Sequence, residues 1–176
     1  ECLASGAFAS EIVVVDSGSR DDTVEIARRF GARVAVEAWR GYGPQKAHAV
    51  GLAANDWVLC LDADERVTPK LADAVAGLFR AGAPPRAAYA VARRNRFLGR
   101  WLAHGEGYPD WQVRLFDRSR ARWTDDPVHE HVVADGPAGR LDGDLLHASA
   151  ESIADYVAKQ NRYTTLQAEA MHARGE

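Results

Sequence analysis

The chain has 176 residues, 47% of them hydrophobic, which is apolar material for one full core and too little for two, so a single domain over 1–176 is expected. With 22 basic against 25 acidic residues and a formal charge of -3, it lacks the basic excess of a protein that follows a nucleic acid backbone. Two cysteines, Cys2 and Cys60, make no disulfide framework and fit a reducing compartment; no apolar run approaches the ~20 residues that span a bilayer, so any membrane contact is expected to be peripheral.

Residues 12–15 are a short continuous apolar run that ends at Asp16 and empties into Ser17-Gly18-Ser19, the pattern of a strand covered on both faces. A helix follows over about 22–30, with Val24, Ala27 and Phe30 on one face, Arg28 and Arg29 in its last turn and Gly31 as its stop. Residues 33–36 form a second strand, 39–43 a glycine-containing loop, and Pro44 opens a helix that reaches about Asn55. Residues 57–61 are the next buried strand. Thr68 before Pro69 reads as an N-cap, and Leu71, Val75 and Leu78 repeat at helical spacing before Gly82. This alternation predicts right-handed βαβ units, hence an α/β fold with a mostly parallel sheet flanked by helices.

After Pro84-Pro85 the pattern changes to short strand-like pieces at 87–93, 112–116, 129–134 and 145–147, a mixed or antiparallel extension. A last amphipathic helix covers about 152–173, its apolar side led by Ile153, Tyr156 and Val157.

In open α/β sheets ligands bind beyond the carboxyl ends of the strands, where both Asp16 and Asp62 stand. The run Val58-Leu59-Cys60-Leu61-Asp62-Ala63-Asp64-Glu65 drives an apolar strand into three carboxylates. Asp62 and Asp64, two apart on extended backbone, point the same way and can reach one hard cation. Magnesium or manganese usually takes one or two protein carboxylates and keeps its other positions for water and phosphate oxygens. With fifteen aspartates an accidental Asp-x-Asp is expected, and Asp142-Gly143-Asp144, glycine-centred and without a preceding apolar run, reads as a solvated turn. Glu65 reads either as support for the pair or as the start of the next loop. In Asp16-Ser17-Gly18-Ser19-Arg20-Asp21, capping by Ser19 or Asp21 competes with a role for Asp16 as acceptor for a ribose hydroxyl or a base.

Taken together, "EIVVVDSGSRDDTVEIARRFGARV", "GYGPQKAHAVGLA", "DWVLCLDADERV" and "YPDWQVRLF…DDPVHEHV" resemble family 2 glycosyltransferases of the GT-A fold, in particular the bacterial lipopolysaccharide core branch. The resemblance implies transfer of a sugar from a nucleoside diphosphate sugar to a glycolipid or saccharide acceptor, with inversion at the anomeric carbon. It assigns 1–83 to the donor-binding half, 84–148 to the acceptor and catalytic half, and 149–176 to a C-terminal helix. Asp16, Ser17, Lys46, Asp62 and Arg114 would bind donor, Arg114 orienting either a phosphate or Glu130. Asp62 and Asp64, with His147 as third ligand, would hold manganese or magnesium. Relatives begin with another strand and helix, so the amino-terminal strand is expected to be missing here, and a central strand to lack a neighbour. A cytoplasmic enzyme at the inner face of the bacterial inner membrane is the implied setting.

Inverting transfer needs a base near the acceptor hydroxyl, opposite the leaving diphosphate. Glu130, in Asp125-Asp126-Pro127-Val128-His129-Glu130-His131, occupies the position where the family keeps an acidic base; Asp126 and Asp110 are the reserves. Of Trp101, Tyr108, Trp111 and Trp123, most are expected in the core and one against ligand. Arg93, Arg94, Arg96 and Arg100 form a basic cluster that could meet acceptor phosphates or simply face solvent. A non-catalytic sugar or nucleotide binding module stays open as an alternative, and a sugar-nucleotide nucleotidyltransferase is disfavoured by the lack of a glycine-rich basic signature.

Overall fold

The computed structural model describes residues 1–126, 130–150 and 152–175. The first half comprises α1 (Cys2–Ser5), β1 (Val13–Asp16), α2 (Thr23–Arg29), β2 (Arg33–Val36), α3 (Tyr42–Leu52), β3 (Trp57–Leu59), β4 (Glu65–Val67) and α4 (Pro69–Arg80). The second comprises β5 (Ala88–Phe97), β6 (Arg100–Trp101), a 3-10 turn (Gly105–Gly107), β7 (Asp110–Asp117), β8 (Ala121–Trp123), β9 (Val132–Ala134), β10 (Gly139–Ala150) and α5 (Ile153–Arg174). The expected α/β class with flanking helices is present. α4 starts as its sequence indicates: the Leu71 N–H donates to Thr68 Oγ1 at 3.4 Å, Pro69 sits where no N–H is needed, and Leu71 and Val75 are buried. α3 begins at Tyr42, two residues before Pro44, because the Gln45 N–H already closes onto the Gly41 carbonyl at 2.9 Å and proline is tolerated within that first turn.

Strand pairing is more mixed than the βαβ alternation suggests. β1 and β2 form a parallel pair, while β3, β7, β5, β10 and β4 line up in that order in a larger sheet, with β6 folded against β5. Within that sheet only β5 and β10 run parallel; β3–β7, β5–β7 and β10–β4 are antiparallel. β3 therefore takes its partner from the second half of the chain, and β1 is not bonded to it. Both β1 and β3 keep one edge unpaired among the described residues, and both line a single open cleft of about 1770 Å³.

The main core joins Val67, Leu71, Val75, Tyr89, Val91, Leu115, Leu141 and Leu145 between α4 and the larger sheet. A second cluster packs Ala88, Phe116, Ala121 and Trp123 on the other face, with Val58 and Cys60 against it. Burial pushes the Cys60 thiol up to about 11, so it stays protonated; both cysteines are free.

Three sequence readings are corrected. Asp142-Gly143-Asp144 is not a solvated turn: it lies inside β10, where the register against β5 slips between Arg140 and Asp144. The Tyr108 hydroxyl donates to Asp144 at 2.8 Å and the Thr68 hydroxyl to the Asp144 carbonyl at 2.7 Å, so the bulge is a junction between α4 and the sheet. Residues 65–67, passed over as loop, form β4, because pairing with Leu145–His147 supplies a ladder that three residues cannot announce alone. On α5, Ile153, Tyr156 and Val157 are exposed (64, 42 and 48%), and Tyr156 makes an edge contact with Phe97 of β5 at 5.3 Å. The strand expected at 129–134 is seen as Val132–Ala134; His129 lies outside the described residues.

Gly143 has φ +96°, and a Cβ there would sit 2.4 Å from the Leu71 nitrogen. Gly143→Ala is expected to destabilise the fold by about 2–4 kcal/mol, combining backbone strain with displacement of α4. Urea unfolding, compared with the harmless exposed exchange Gly51→Ala, checks it.

Candidate active site

The chain leaves β3 and turns sharply, with the Glu65 N–H donating back to the Asp62 carbonyl at 2.9 Å. That turn lifts Asp62 and Asp64 to the rim and drops Glu65 to full burial (0% exposed). A buried carboxylate needs a cation or several donors. Glu65 has both: the Asp62 N–H at 2.9 Å and the Arg114 guanidinium at 2.6 Å. Arg114 comes from β7, is itself 3% exposed, and its Nη2 also donates to Asp62 at 2.9 Å. Arg114 was expected to orient a phosphate or Glu130; among the described residues its carboxylate partners are Glu65 and Asp62, because the β7 register places it beneath the turn.

Lys46 projects from α3 and lies over the Trp123 ring at 4.8 Å. Its ammonium sits 3.0 and 3.3 Å from the two Asp62 oxygens and 2.7 Å from Glu130. Gly43 makes this approach feasible, since a Cβ there would fall 2.0 Å from the Thr124 carbonyl oxygen; its absence lets the segment leading to Glu130 press onto α3. For Asp62, burial works against the charged form, yet Arg114 and then Lys46 outweigh it and hold the carboxyl below its ordinary range.

Asp64 faces His147 of β10, Oδ2 to Nε2 at 3.2 Å. His147 Nδ1 is 2.6 Å from Asn95 Oδ1. The Asn95 orientation follows from its Nδ2, whose neighbours, the Gly107 carbonyl and Asp110, can only accept. Hence Nδ1 carries the proton, and Nε2 turns toward Asp64 either as a second donor or as a lone pair available to a cation, as in histidines oriented for metal binding. Burial opposes ionisation of Asp64, but the His147 contact outweighs it and the net direction is downward. Among the described residues no group of three His, Cys, Asp or Glu side chains is gathered closely enough to cage a metal. Two carboxylates and one imidazole at a cleft rim are the donor types that a hard cation with water and phosphate oxygens as its remaining ligands would take.

Of the three candidate bases, only Glu130 lines the cleft. Asp110 is clamped by Arg93 at 2.6 and 2.8 Å and by Gln112 at 2.6 Å, so its oxygens are occupied in fixing β5 against β7. Asp126 stands outside, 3.7 Å from His131, with nearly half its side chain exposed. Asp16 is buried and spends its carboxylate within its own loop, accepting from the Gly18 and Ser19 N–H groups at 2.9 Å and from the Ser19 hydroxyl at 2.5 Å. Ser17 accepts from Gln45 at 3.1 Å, which ties the loop after β1 to α3. Of the four candidate aromatics Trp111 is the one that lines the cleft, while Trp123 is core. Of the arginine cluster, Arg93 is bound to Asp110 and Arg94 donates to the Leu102 carbonyl at 3.1 Å. Sequence reasoning missed Asn95 and the buried half of the network around Glu65; the only cue was a third carboxylate directly after Asp64.

Replacing Glu65 by Gln leaves Arg114 buried with half its compensation. It is expected to cost about 3 kcal/mol in urea unfolding, whereas Asp126→Asn, on the exposed loop, is expected to cost under about 0.5 kcal/mol.

The chain is similar to known proteins in three comparisons. A lipopolysaccharide core biosynthesis glycosyltransferase, LpsC of Rhizobium meliloti, is 31% identical over 176 residues, covering 96% of this chain and 65% of that protein. An uncharacterized glycosyltransferase of Rickettsia typhi is 33% identical over 179 residues, covering 96% and 61%. The chain thus spans less than two thirds of the length of these relatives. Among solved structures, S. aureus TarS 1-349 in complex with UDP-GlcNAc superimposes with a TM-score of 0.45 at 21% identity, over 58% of this chain and 32% of that one. The family model described as Glycosyl transferase family 2 matches residues 2–134. That match takes in β1, the loop after it, the Asp62–Glu65 turn, Arg114 and Glu130, and on it the chain belongs to glycosyl transferase family 2.

Proposed function

We propose that this cleft transfers a sugar, with inversion, from a nucleoside diphosphate sugar to a hydroxyl of an envelope saccharide or glycolipid in lipopolysaccharide core synthesis. The observation that carries the reading is the Lys46 ammonium, which joins Asp62, on the donor side, to Glu130, on the acceptor side. Family membership supports sugar transfer, and the 31% identity with a core biosynthesis enzyme supports the acceptor class.

Glu130 would take the proton of the acceptor hydroxyl while its oxygen bonds to the anomeric carbon, and the bond from that carbon to the diphosphate oxygen would break on the opposite face. Arg114 and Glu65 would keep Asp62 from swinging away, and Lys46 would fix its span to Glu130, holding the reacting partners in one geometry. Asp62 and Asp64, with His147, would hold magnesium or manganese, which when bound supplies positive charge against the departing diphosphate. No described helix is long and apolar enough to cross a membrane. Work at the cytoplasmic face of the inner membrane, with only peripheral contact, belongs to this same reading.

Glu130→Gln is expected to lower transfer by about 10²–10⁴-fold while calorimetry shows donor binding little changed. Retained transfer would remove Glu130 as the base; donor binding without transfer in the unaltered protein, over a panel of envelope saccharides, would favour a binding module. Chelation, and separately Asp64→Asn, are expected to reduce turnover on the order of a hundredfold, with manganese restoring only the chelated sample. Unchanged turnover in both would dismiss the metal.

A further inference from the structure

α5 has a face that its sequence pattern does not announce. Among its described side chains only Lys159, Tyr163 and Leu166 escape full exposure, and their spacing of four and three places them on one stripe. That stripe turns toward the cleft, whose lining includes Lys159 and Tyr163 together with Lys46, Asp62, Asp64 and Glu130. Tyr163 anchors it by an edge contact with Tyr42, at the start of α3, with ring centroids 5.8 Å apart. Burial, then the Tyr42 charge and a hydrogen bond to Tyr42, with the charges of Glu130 and Asp62 nearby, pushes its phenol up to about 12, so its hydroxyl keeps its proton and donates to Tyr42, a bond that an entering phosphate oxygen would replace.

The other cations of the cleft are already committed. Lys46 is held by Asp62 and Glu130, Arg114 by Asp62 and Glu65, and Arg93 by Asp110 with Glu65 at 3.8 Å. Lys159 differs: it lies close enough to Asp64 for its charge to favour that carboxylate, and 5.8 Å from the Tyr163 ring, yet no carboxylate oxygen of a described residue is within 4 Å. A diphosphate entering beside Asp62 and Asp64 brings two further negative charges to a rim already rich in carboxylates. It needs a donor that is not spent elsewhere.

We propose that α5 is the outer wall of the donor site, with Lys159 and Tyr163 gripping the diphosphate of the nucleotide sugar. This rests on the transferase reading above and adds two binding residues to it. Lys159 contributes charge on a flexible stem; Tyr163, one turn further along α5, contributes a neutral donor at a fixed place.

Titration with UDP and with uridine, followed by calorimetry, tests it. Lys159→Met is expected to weaken UDP by about tenfold or more and leave uridine unchanged, Lys159→Arg to recover most of the loss, and Tyr163→Phe to weaken UDP by a smaller factor. Arg162→Met removes the same charge from the exposed face of α5 and is expected to have little effect. A Lys159→Met variant that binds UDP like the unaltered protein, or that loses no more than Arg162→Met, overturns the proposal while leaving the transferase reading intact. An unaltered protein that binds no nucleoside diphosphate overturns both.

Discussion

The structure turns on one buried guanidinium. Arg114 sits between Glu65 and Asp62, and each of the three comes from a place that would otherwise have no reason to hold together: β7, the start of β4, and the end of β3. Desolvating an arginine and a glutamate is costly, so the pair tolerates burial only while both partners and the Asp62 N–H are in position. That requirement makes the turn after β3 rigid. It also decides which carboxylates reach the rim, since Glu65 is pulled inward and Asp62 and Asp64 are left facing the cleft.

From Asp62 the order passes outward through Lys46 to Glu130 and through Asp64 to His147, Asn95 and Asp110. The two branches span α3 on one side and β5, β7 and β10 on the other. The β1–β2 pair and the larger sheet thus meet across a cleft bridged by ion pairs and hydrogen bonds rather than as one continuous sheet, because β1 and β3 are not bonded to each other. An open cleft of this kind can admit a ligand without unfolding either sheet. Such a network is also sensitive to every member, as loss of one charge leaves another buried without compensation.

Much of the architecture was legible because its signals are local. The cap at Thr68 with Pro69, the strand at Arg33–Val36 and the apolar run into Asp62 depend on neighbours within a turn or two, and all three appear where the spacing predicts. The Asp62–Asp64 pair and Glu130 were legible from their motifs, and the fold brings them to one cleft. What was misread depends on distant partners. β4 exists because β10 lies beside it, and Asp144 is a junction because Tyr108 and Thr68 arrive from elsewhere. The apolar side of α5 was misassigned because Ile153, Tyr156 and Val157 look like a core stripe by periodicity, while the helix docks through Tyr163 on Tyr42.

By itself the sequence determined the α/β class, the strand-end position of the carboxylates and the family of the chain, since these follow from hydrophobic period and from motifs a few residues long. Only the tertiary structure decided which charges meet. Arg114 could have served a phosphate, Glu130 or Glu65, and Asp110 could have been free or clamped; the antiparallel register of β7 against β3 and β5 chose among them. An ion pair is a short-range contact between residues far apart in the chain, so its partners are set by strand register and helix docking, which no local pattern encodes.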